Sequence, residues 1–131
     1  MKGLGNDGPY WDALGNGKLQ LPKCSKCGVW HWPAPYRCGH CGSWEMDWQD
    51  VEMKGDLYTW TRALHPFEGT EDLGAPYVTV LVELPQAGGI RLLGLLKGDA
   101  KPKIGMTLTG SVGESRVFDQ DIPVIHWRAA A

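Results

Sequence analysis

The stretch Cys24-Ser25-Lys26-Cys27-Gly28-Val29-Trp30-His31-Trp32-Pro33-Ala34-Pro35-Tyr36-Arg37-Cys38-Gly39-His40-Cys41-Gly42 holds all four cysteines of the chain, as two Cys-x-x-Cys pairs ten residues apart. A Cys-x-x-Cys turn points two thiolates at one centre, and two such turns supply the four soft sulfur ligands that zinc takes in a closed tetrahedral site. Each pair is followed by a glycine, Gly28 and Gly42, where the chain must bend back over the metal with its N–H groups facing sulfur. The spacing predicts one structural zinc ion held by Cys24, Cys27, Cys38 and Cys41. Such a shell has no open position for water or substrate and leaves no cysteine over for a nucleophile, so the metal holds the fold and does no chemistry. Two other arrangements stay open at this point: a pair of disulfides, which suits a secreted chain, and a shell of three cysteines with His31 or His40. A redox Cys-x-x-Cys needs only one pair, in a thioredoxin-like βαβ setting that the surrounding sequence lacks.

At 131 residues the chain has the size of one domain, yet the cysteine segment shares no periodic pattern with the residues beyond it. The expectation is a helical segment over 1–22, a ribbon over 23–50 and a barrel over 51–131. The ribbon is too short to bury a core of its own, so metal coordination must supply much of its folding free energy. Thirteen Lys and Arg against 15 Asp and Glu give a net charge of −2, with no basic run, which argues against a strong binder of phosphate backbones. No apolar stretch reaches the length of a membrane span and no lipidation motif is visible, so no membrane partner is expected. The opening Met1 to Tyr10, MKGLGNDGPY, lacks the charged, apolar and small-residue pattern of an export signal, which predicts a reducing cytoplasm.

Tyr10-Trp11-Asp12-Ala13-Leu14, stopped by Gly15-Asn16-Gly17, predicts one or two helical turns, and Lys18-Leu19-Gln20-Leu21 a short strand. From Gly55 the apolar period becomes two. Asp56 to Arg62, Tyr77 to Leu84 and Ile90 to Leu96 read as strands, with Pro85-Gln86-Ala87-Gly88-Gly89 as a hairpin connection. Met106 to Val112 and Pro123 to Trp127 are shorter candidates. Five short strands with glycine-rich turns and no long helix between them predict a small closed barrel of the OB type, and Gly94 inside the third strand fits the sharp coil of such a barrel. The fold class is thus mainly β: a short N-terminal helix, a zinc ribbon and a five-stranded OB barrel.

Trp30, Trp32 and Tyr36 lie between the cysteine pairs, with Trp44 and Trp48 beyond them. These rings either cover a minimal metal core or form an exposed docking surface, and the residues alone leave both readings open. His65 stands beside Pro66 in an acidic loop and His126 beside Trp127 in the last strand, positions that suit solvated and structural roles. No Gly-x-Ser-x-Gly, phosphate-binding glycine loop, His-Glu-x-x-His or dinucleotide fingerprint occurs, so no catalytic residues are assigned.

The order of parts, with Trp11 to Leu19, Cys24 to Ser43, Gly55 to Thr61, Pro76 to Leu84 and Lys103-Ile104-Gly105-Met106 as its markers, resembles a known family. It is similar to the acyl-CoA-associated OB-fold proteins with a rubredoxin-like zinc ribbon, long catalogued as a domain of unknown function. The resemblance implies a non-catalytic accessory subunit of a thiolase-fold enzyme: a thiolase, a sterol-side-chain aldolase or a ketoacyl-type acyltransferase. The partner would carry the catalytic cysteine and histidines. The ribbon and N-terminal segment would pack on it, with Trp11, Trp30, Trp32 and Tyr36 at the contact. The barrel would lie by the channel for coenzyme A or its pantetheine arm, with Trp60, Arg62 and Phe67 as channel candidates because the first barrel strand and its loop reach outward. The thioester itself would be bound mainly by the partner. Glu68-Gly69-Thr70-Glu71-Asp72 would repel a polyphosphate, so no direct grip of this loop on the nucleotide end of coenzyme A is expected. The alternative is a nucleic-acid-binding module, a use to which zinc ribbons and OB folds are both put, and against it stands the acidic charge balance.

Overall fold

A computed structural model describes residues 5–131. The first four residues of the expected 1–22 segment lie outside the described residues. The elements are α1 (Gly8–Gly15), β1 (Leu19–Cys24), β2 (Met46–Val51), β3 (Lys54–Ala63), β4 (Tyr77–Leu84), β5 (Ile90–Leu96), β6 (Thr107–Val117) and β7 (Gln120–Ala129), with single 3-10 turns at Glu71–Leu73 and Pro85–Ala87. The chain divides into two compact units, Met1–Glu52 with Leu84–Ile90, and Met53–Glu83 with Arg91–Ala131. The mainly β class is the one read from the sequence.

In the first unit, Pro9 opens α1, where a missing N–H costs nothing. Tyr10, Ala13 and Leu14 recur at helical spacing and form its buried face. Past Leu14 the chain turns at Gly17, φ 78°: the Gly17 N–H donates to Leu14 O at 2.9 Å and the Lys18 N–H to Ala13 O at 2.9 Å, a Schellman stop. The chain then enters β1, which pairs antiparallel with β2 from Leu19↔Val51 to Cys24↔Met46. Leu19, Leu21, Pro22 and Cys24 of β1 are buried, whereas β2 buries only Val51. The sequence offers no expectation of β2, because Asp47, Gln49 and Asp50 break its apolar signal. The turn between β4 and β5 belongs to this unit, and a Cβ on Gly88 (φ 65°) would stand 2.9 Å from the Trp30 ring.

The second unit is a closed barrel in the order β3-β4-β5-β7-β6. β3 pairs with both β4 and β6, and β5 meets β7 in parallel at Leu95↔His126 and Leu96↔Trp127, which closes the sheet. β4 and β5 keep the limits predicted for them. The two short candidates at 106–112 and 123–127 are corrected to one long hairpin, paired from Leu108↔Ala129 to Val117↔Gln120. Its turn, Phe118-Asp119, escapes sequence reading because Phe118 takes φ 47°, a conformation that usually calls for glycine.

Leu57, Val80, Val82, Leu92, Leu108, Ile125 and Trp127 fill the barrel, each buried. Trp127 is the largest of them, and its indole decides where glycine is needed. A Cβ on Gly94 would lie 2.5 Å from Trp127 Cδ1 and 2.6 Å from its Nε1, and one on Gly110 would lie 3.1 Å from Cζ3. Gly94 is therefore there to admit the indole, a reason different from the coil that the sequence suggests. Gly94→Ala should destabilise the barrel by roughly 1–3 kcal/mol, read as a lowered denaturant midpoint, and an unchanged midpoint would mean that the indole has room to shift.

Tyr10 offers a second test. Burial, and then the nearby Asp7 carboxylate, push its phenol up to about 12 from 10.0. The folded state favours the neutral ring, so this contribution is intact below pH 10 and is lost as pH rises from 10 towards 12, by about 2 kcal/mol at the upper limit. Tyr10→Phe should remove that part of the alkaline sensitivity in pH-jump unfolding.

Candidate metal centre and binding surfaces

Two knuckles of the same build present the cysteines. In the first, the Cys24 N–H donates to Val29 O at 2.9 Å and the Gly28 N–H to Cys24 O at 2.9 Å. In the second, the Cys38 N–H donates to Ser43 O at 2.8 Å and the Gly42 N–H to Cys38 O at 2.9 Å. Gly28 and Gly42 take φ 75° and 80°, the left-handed bend expected of them. β1 delivers Cys24 from its end, and the Ser25 N–H donates to Glu45 O at 3.0 Å, tying the first knuckle to the start of β2.

The four Sγ atoms lie within 4.8 Å of one another, with Cys24–Cys41 and Cys27–Cys38 both at 3.6 Å, and none is in a disulfide. A tetrahedron of sulfurs at the zinc–thiolate bond length has edges of about 3.8 Å, so the cluster fits zinc. Its acid–base chemistry agrees. The Cys27 N–H above all, partly offset by burial, draws the Cys24 thiol down to about 6. The Cys41 N–H lowers Cys38 in the same way. Cys27 is helped by the Val29 N–H, but desolvation and its three sulfur neighbours outweigh that and push it up to about 12. Thiols this close cannot all ionise unless a cation joins them. Zinc bound here supplies charge and cross-linking to the ribbon.

His31 is not a fourth ligand in place of a cysteine. Its Nε2 lies 3.2 Å from Cys38 Sγ, the place of a donor to a metal-bound thiolate. The Cys41 N–H, 3.5 Å from the same sulfur, is a second donor. His40 is exposed.

The aromatic residues divide by exposure. Trp11 donates from Nε1 to Asp7 Oδ2 at 3.1 Å, and Trp32 packs on Tyr10 with ring centres 4.4 Å apart. Trp30 lies beside Lys23 Nζ, 5.2 Å from its ring centre, and covers Gly88. All three are half-buried. Tyr36 and Trp44 are instead 62% and 69% exposed, and the Arg37 guanidinium stands 5.4 Å from the Trp44 ring centre. Arg37 also donates from Nε to Gly42 O at 2.6 Å, so the second knuckle holds a cation and two rings outward. Trp44, which the sequence places in the aromatic cluster but not among the four named contact candidates, is the more exposed of the two.

Of the three channel candidates in the barrel, Trp60 is half-buried in β3, and Phe67 is exposed, meeting the His65 ring edge-on at 4.7 Å. Arg62 lines an open cleft of 590 Å³ with Tyr77, Lys97, Asp99 and Lys101, among others. Two acids of the β3–β4 loop, Glu71 and Asp72, line a separate cavity with Arg116, Phe118 and Asp119. Glu71 is held ionised by its own N–H and that of Gly69. His126 covers Gly113 and is lowered by burial, then by Lys97 and Arg128, which makes it a neutral structural ring.

Residues 11–47 match the rubredoxin-like zinc ribbon domain of ChsH2, and residues 48–112 match the C-terminal OB-fold domain of ChsH2. A curated relative, a probable enoyl-CoA hydratase alpha subunit of Thermomonospora curvata, is 32% identical over 102 residues, which are 77% of this chain. The chain spans only 31% of that relative's length. Among solved structures, a chain of the Ltp2–ChsH2(DUF35) aldolase is 27% identical, with a TM-score of 0.84 over 100% of both chains. A DUF35-family protein of unknown function from Sulfolobus solfataricus shares the fold at a TM-score of 0.60 and 22% identity, over 93% of this chain and 83% of that one.

Metal analysis of protein kept reduced should give one zinc per chain, and Cys→Ser at any of the four positions should abolish binding and unfold the ribbon. His31→Ala should leave the metal bound but weaken it roughly ten-fold in a chelator competition, by removing the donor to Cys38. An unchanged affinity would show that this ring only fills space.

Proposed function

Because this chain belongs to the ChsH2 family of rubredoxin-like zinc ribbon and OB-fold proteins, we propose that it is an accessory subunit, non-catalytic by itself, of a thiolase-fold enzyme acting on a coenzyme A thioester. The observation that carries this reading is the end-to-end likeness to a chain of the Ltp2–ChsH2(DUF35) aldolase, whose name joins ChsH2 to a second protein in one enzyme. The enoyl-CoA hydratase subunit from Thermomonospora curvata supports the acyl-CoA setting. The sealed metal shell agrees, since it braces a surface and offers substrate no coordination site.

The subunit stabilises its partner and helps shape the channel for coenzyme A, while the thioester is bound mainly by the partner. Contact runs through Trp11, Trp30, Trp32 and Tyr36, to which the exposure of Trp44 adds a fifth ring. Trp60, Arg62 and Phe67 are its channel residues, with Arg62 the best placed of them because it lines a cleft. Four cysteines free of disulfides suit a reducing compartment, and we take the cytoplasm as its location. The nucleic-acid-binding alternative is set aside on the charge balance of −2.

Partner activity with and without this chain is the test. Turnover of the thioester should appear or rise when the chain is added at micromolar concentration. Tyr36→Ala with Trp44→Ala should weaken the complex by roughly 100-fold while leaving zinc content unchanged, since both rings are exposed and their loss opens no cavity. A partner fully active and stable alone would overturn the reading. Labelled single-stranded DNA and RNA should show no sub-micromolar, steeply salt-dependent complex; such a complex would restore the alternative.

A further inference from the structure

The four sulfurs of the ribbon are not equivalent. Cys24 and Cys38 are 1% and 2% exposed, Cys27 is half-buried, and Cys41 is open to solvent. Cys38 Sγ also accepts from the Cys41 N–H at 3.5 Å and stands 3.2 Å from His31 Nε2, contacts that occupy its lone pairs and blunt it as a nucleophile. Cys41 is followed by Gly42, which adds no side chain to cover it. A closed shell denies the metal a new ligand, but it does not shield an exposed sulfur from attack. The centre that is inert towards substrate is therefore open to an oxidant at one ligand.

The sulfur that would answer such an attack is already in place. Cys24 Sγ lies 3.6 Å from Cys41 Sγ, on the opposite knuckle, and Cys27 and Cys38 form a second pair across the knuckles at 3.6 Å. We propose that Cys41 is an oxidative modification site, and that peroxide acting there ejects zinc from the ribbon. The Cys41 thiolate attacks one peroxide oxygen and the O–O bond breaks, leaving Cys41 as a sulfenic acid while the other oxygen departs as hydroxide. Cys24 Sγ then displaces hydroxide from the Cys41 sulfur and forms the disulfide. Two thiolates give up two electrons, one peroxide is reduced, and two protons from solvent turn both hydroxides into water. Zinc is left on Cys27 and Cys38, one ligand from each knuckle, and two sulfurs are too few to hold it. Once it leaves, a second peroxide joins Cys27 to Cys38 by the same steps. A dithiol reductant reverses both bonds and returns four thiols to the metal.

Tyr36 and Trp44, both exposed, flank the second knuckle, so its release from zinc would also disturb the rings assigned to docking. That consequence rests on the accessory-subunit reading, whereas the modification of Cys41 does not.

The zinc-loaded full chain, freed of reductant and treated with hydrogen peroxide, tests this without any partner. Released zinc is read with a chromogenic chelator, and the cysteines are mapped by mass spectrometry after alkylation. At one equivalent of peroxide the disulfide between Cys24 and Cys41 should predominate, with zinc leaving in step with it. Dimedone present during oxidation should label Cys41 about ten-fold more than any other cysteine. Dithiothreitol with added zinc should restore the metal content. Cys41→His keeps four ligands, three cysteines and a histidine, and should hold zinc while releasing it about ten-fold more slowly under peroxide. Should that variant fail to take up zinc, the mapping on the native chain decides alone. Zinc retained at millimolar peroxide, first labelling at Cys24, Cys27 or Cys38, or a first disulfide within either knuckle would overturn the proposal even if the chain still activates a thiolase-fold partner. The expected map would uphold it even if no such partner engages the chain.

Discussion

Four sulfurs within 4.8 Å of one another can all be thiolates only around a cation, and the N-terminal unit is organised to keep them there. β1 ends on Cys24, its register with β2 sets Met46 opposite, and the loop between the two strands carries both knuckles. The glycines at 28 and 42 let each knuckle reverse over the metal, and the repeated hydrogen bonds from Cys24 to Val29 and from Cys38 to Ser43 make the two halves of the shell alike. With so few buried apolar residues beyond α1 and β1, coordination replaces the core that a segment of this length cannot form. Its aromatic rings are then divided in use. Those of Trp30 and Trp32 cover what little core there is, and those of Tyr36 and Trp44 face outward.

The barrel solves the same problem of size by closing on itself. Its strands leave no long open edge, and Trp127 occupies the space that Gly94 and Gly110 concede. An interior fixed by one indole allows the loops to differ sharply in character. The β3–β4 loop is acidic at Glu71 and Asp72 and apolar at Leu73 and Pro76, and the residues after β5 are basic. The β3–β4 loop thus borders two cavities, with its apolar residues on the one that the basic residues share and its acids on the other.

How much of this is legible in the sequence depends on whether the signal is local. Cysteine spacing is local and chemically narrow, so the metal shell can be read directly, and β4 and β5 keep their predicted limits because they are continuous runs of β-branched and aliphatic residues. β2 is hidden because Asp47, Gln49 and Asp50 break its apolar pattern and only Val51 is buried, and the β6–β7 hairpin because Phe118 holds a conformation that its side chain does not advertise. Exposure of aromatic rings is not local either. Trp30 and Trp44 look alike as letters, and only the packing of one on Gly88 and of the other beneath Arg37 separates them. The basic cleft is the extreme case, since positions 62, 97 and 101 lie in three stretches of unremarkable charge.

Separation along the chain also sets the order in which the parts can form. The ribbon's sulfur shell joins residues at most 17 positions apart, Cys24 and Cys41, whereas the barrel needs Lys54 to find Thr109. Short loops close early and at little entropic cost, and long ones wait for the last strands. During synthesis both knuckles leave the ribosome before β3 does, so metal can be captured by a nascent chain that has no barrel. In a cell short of zinc at that moment the ribbon would stay open, and the supply of metal would then govern the yield of intact chain more than the supply of polypeptide.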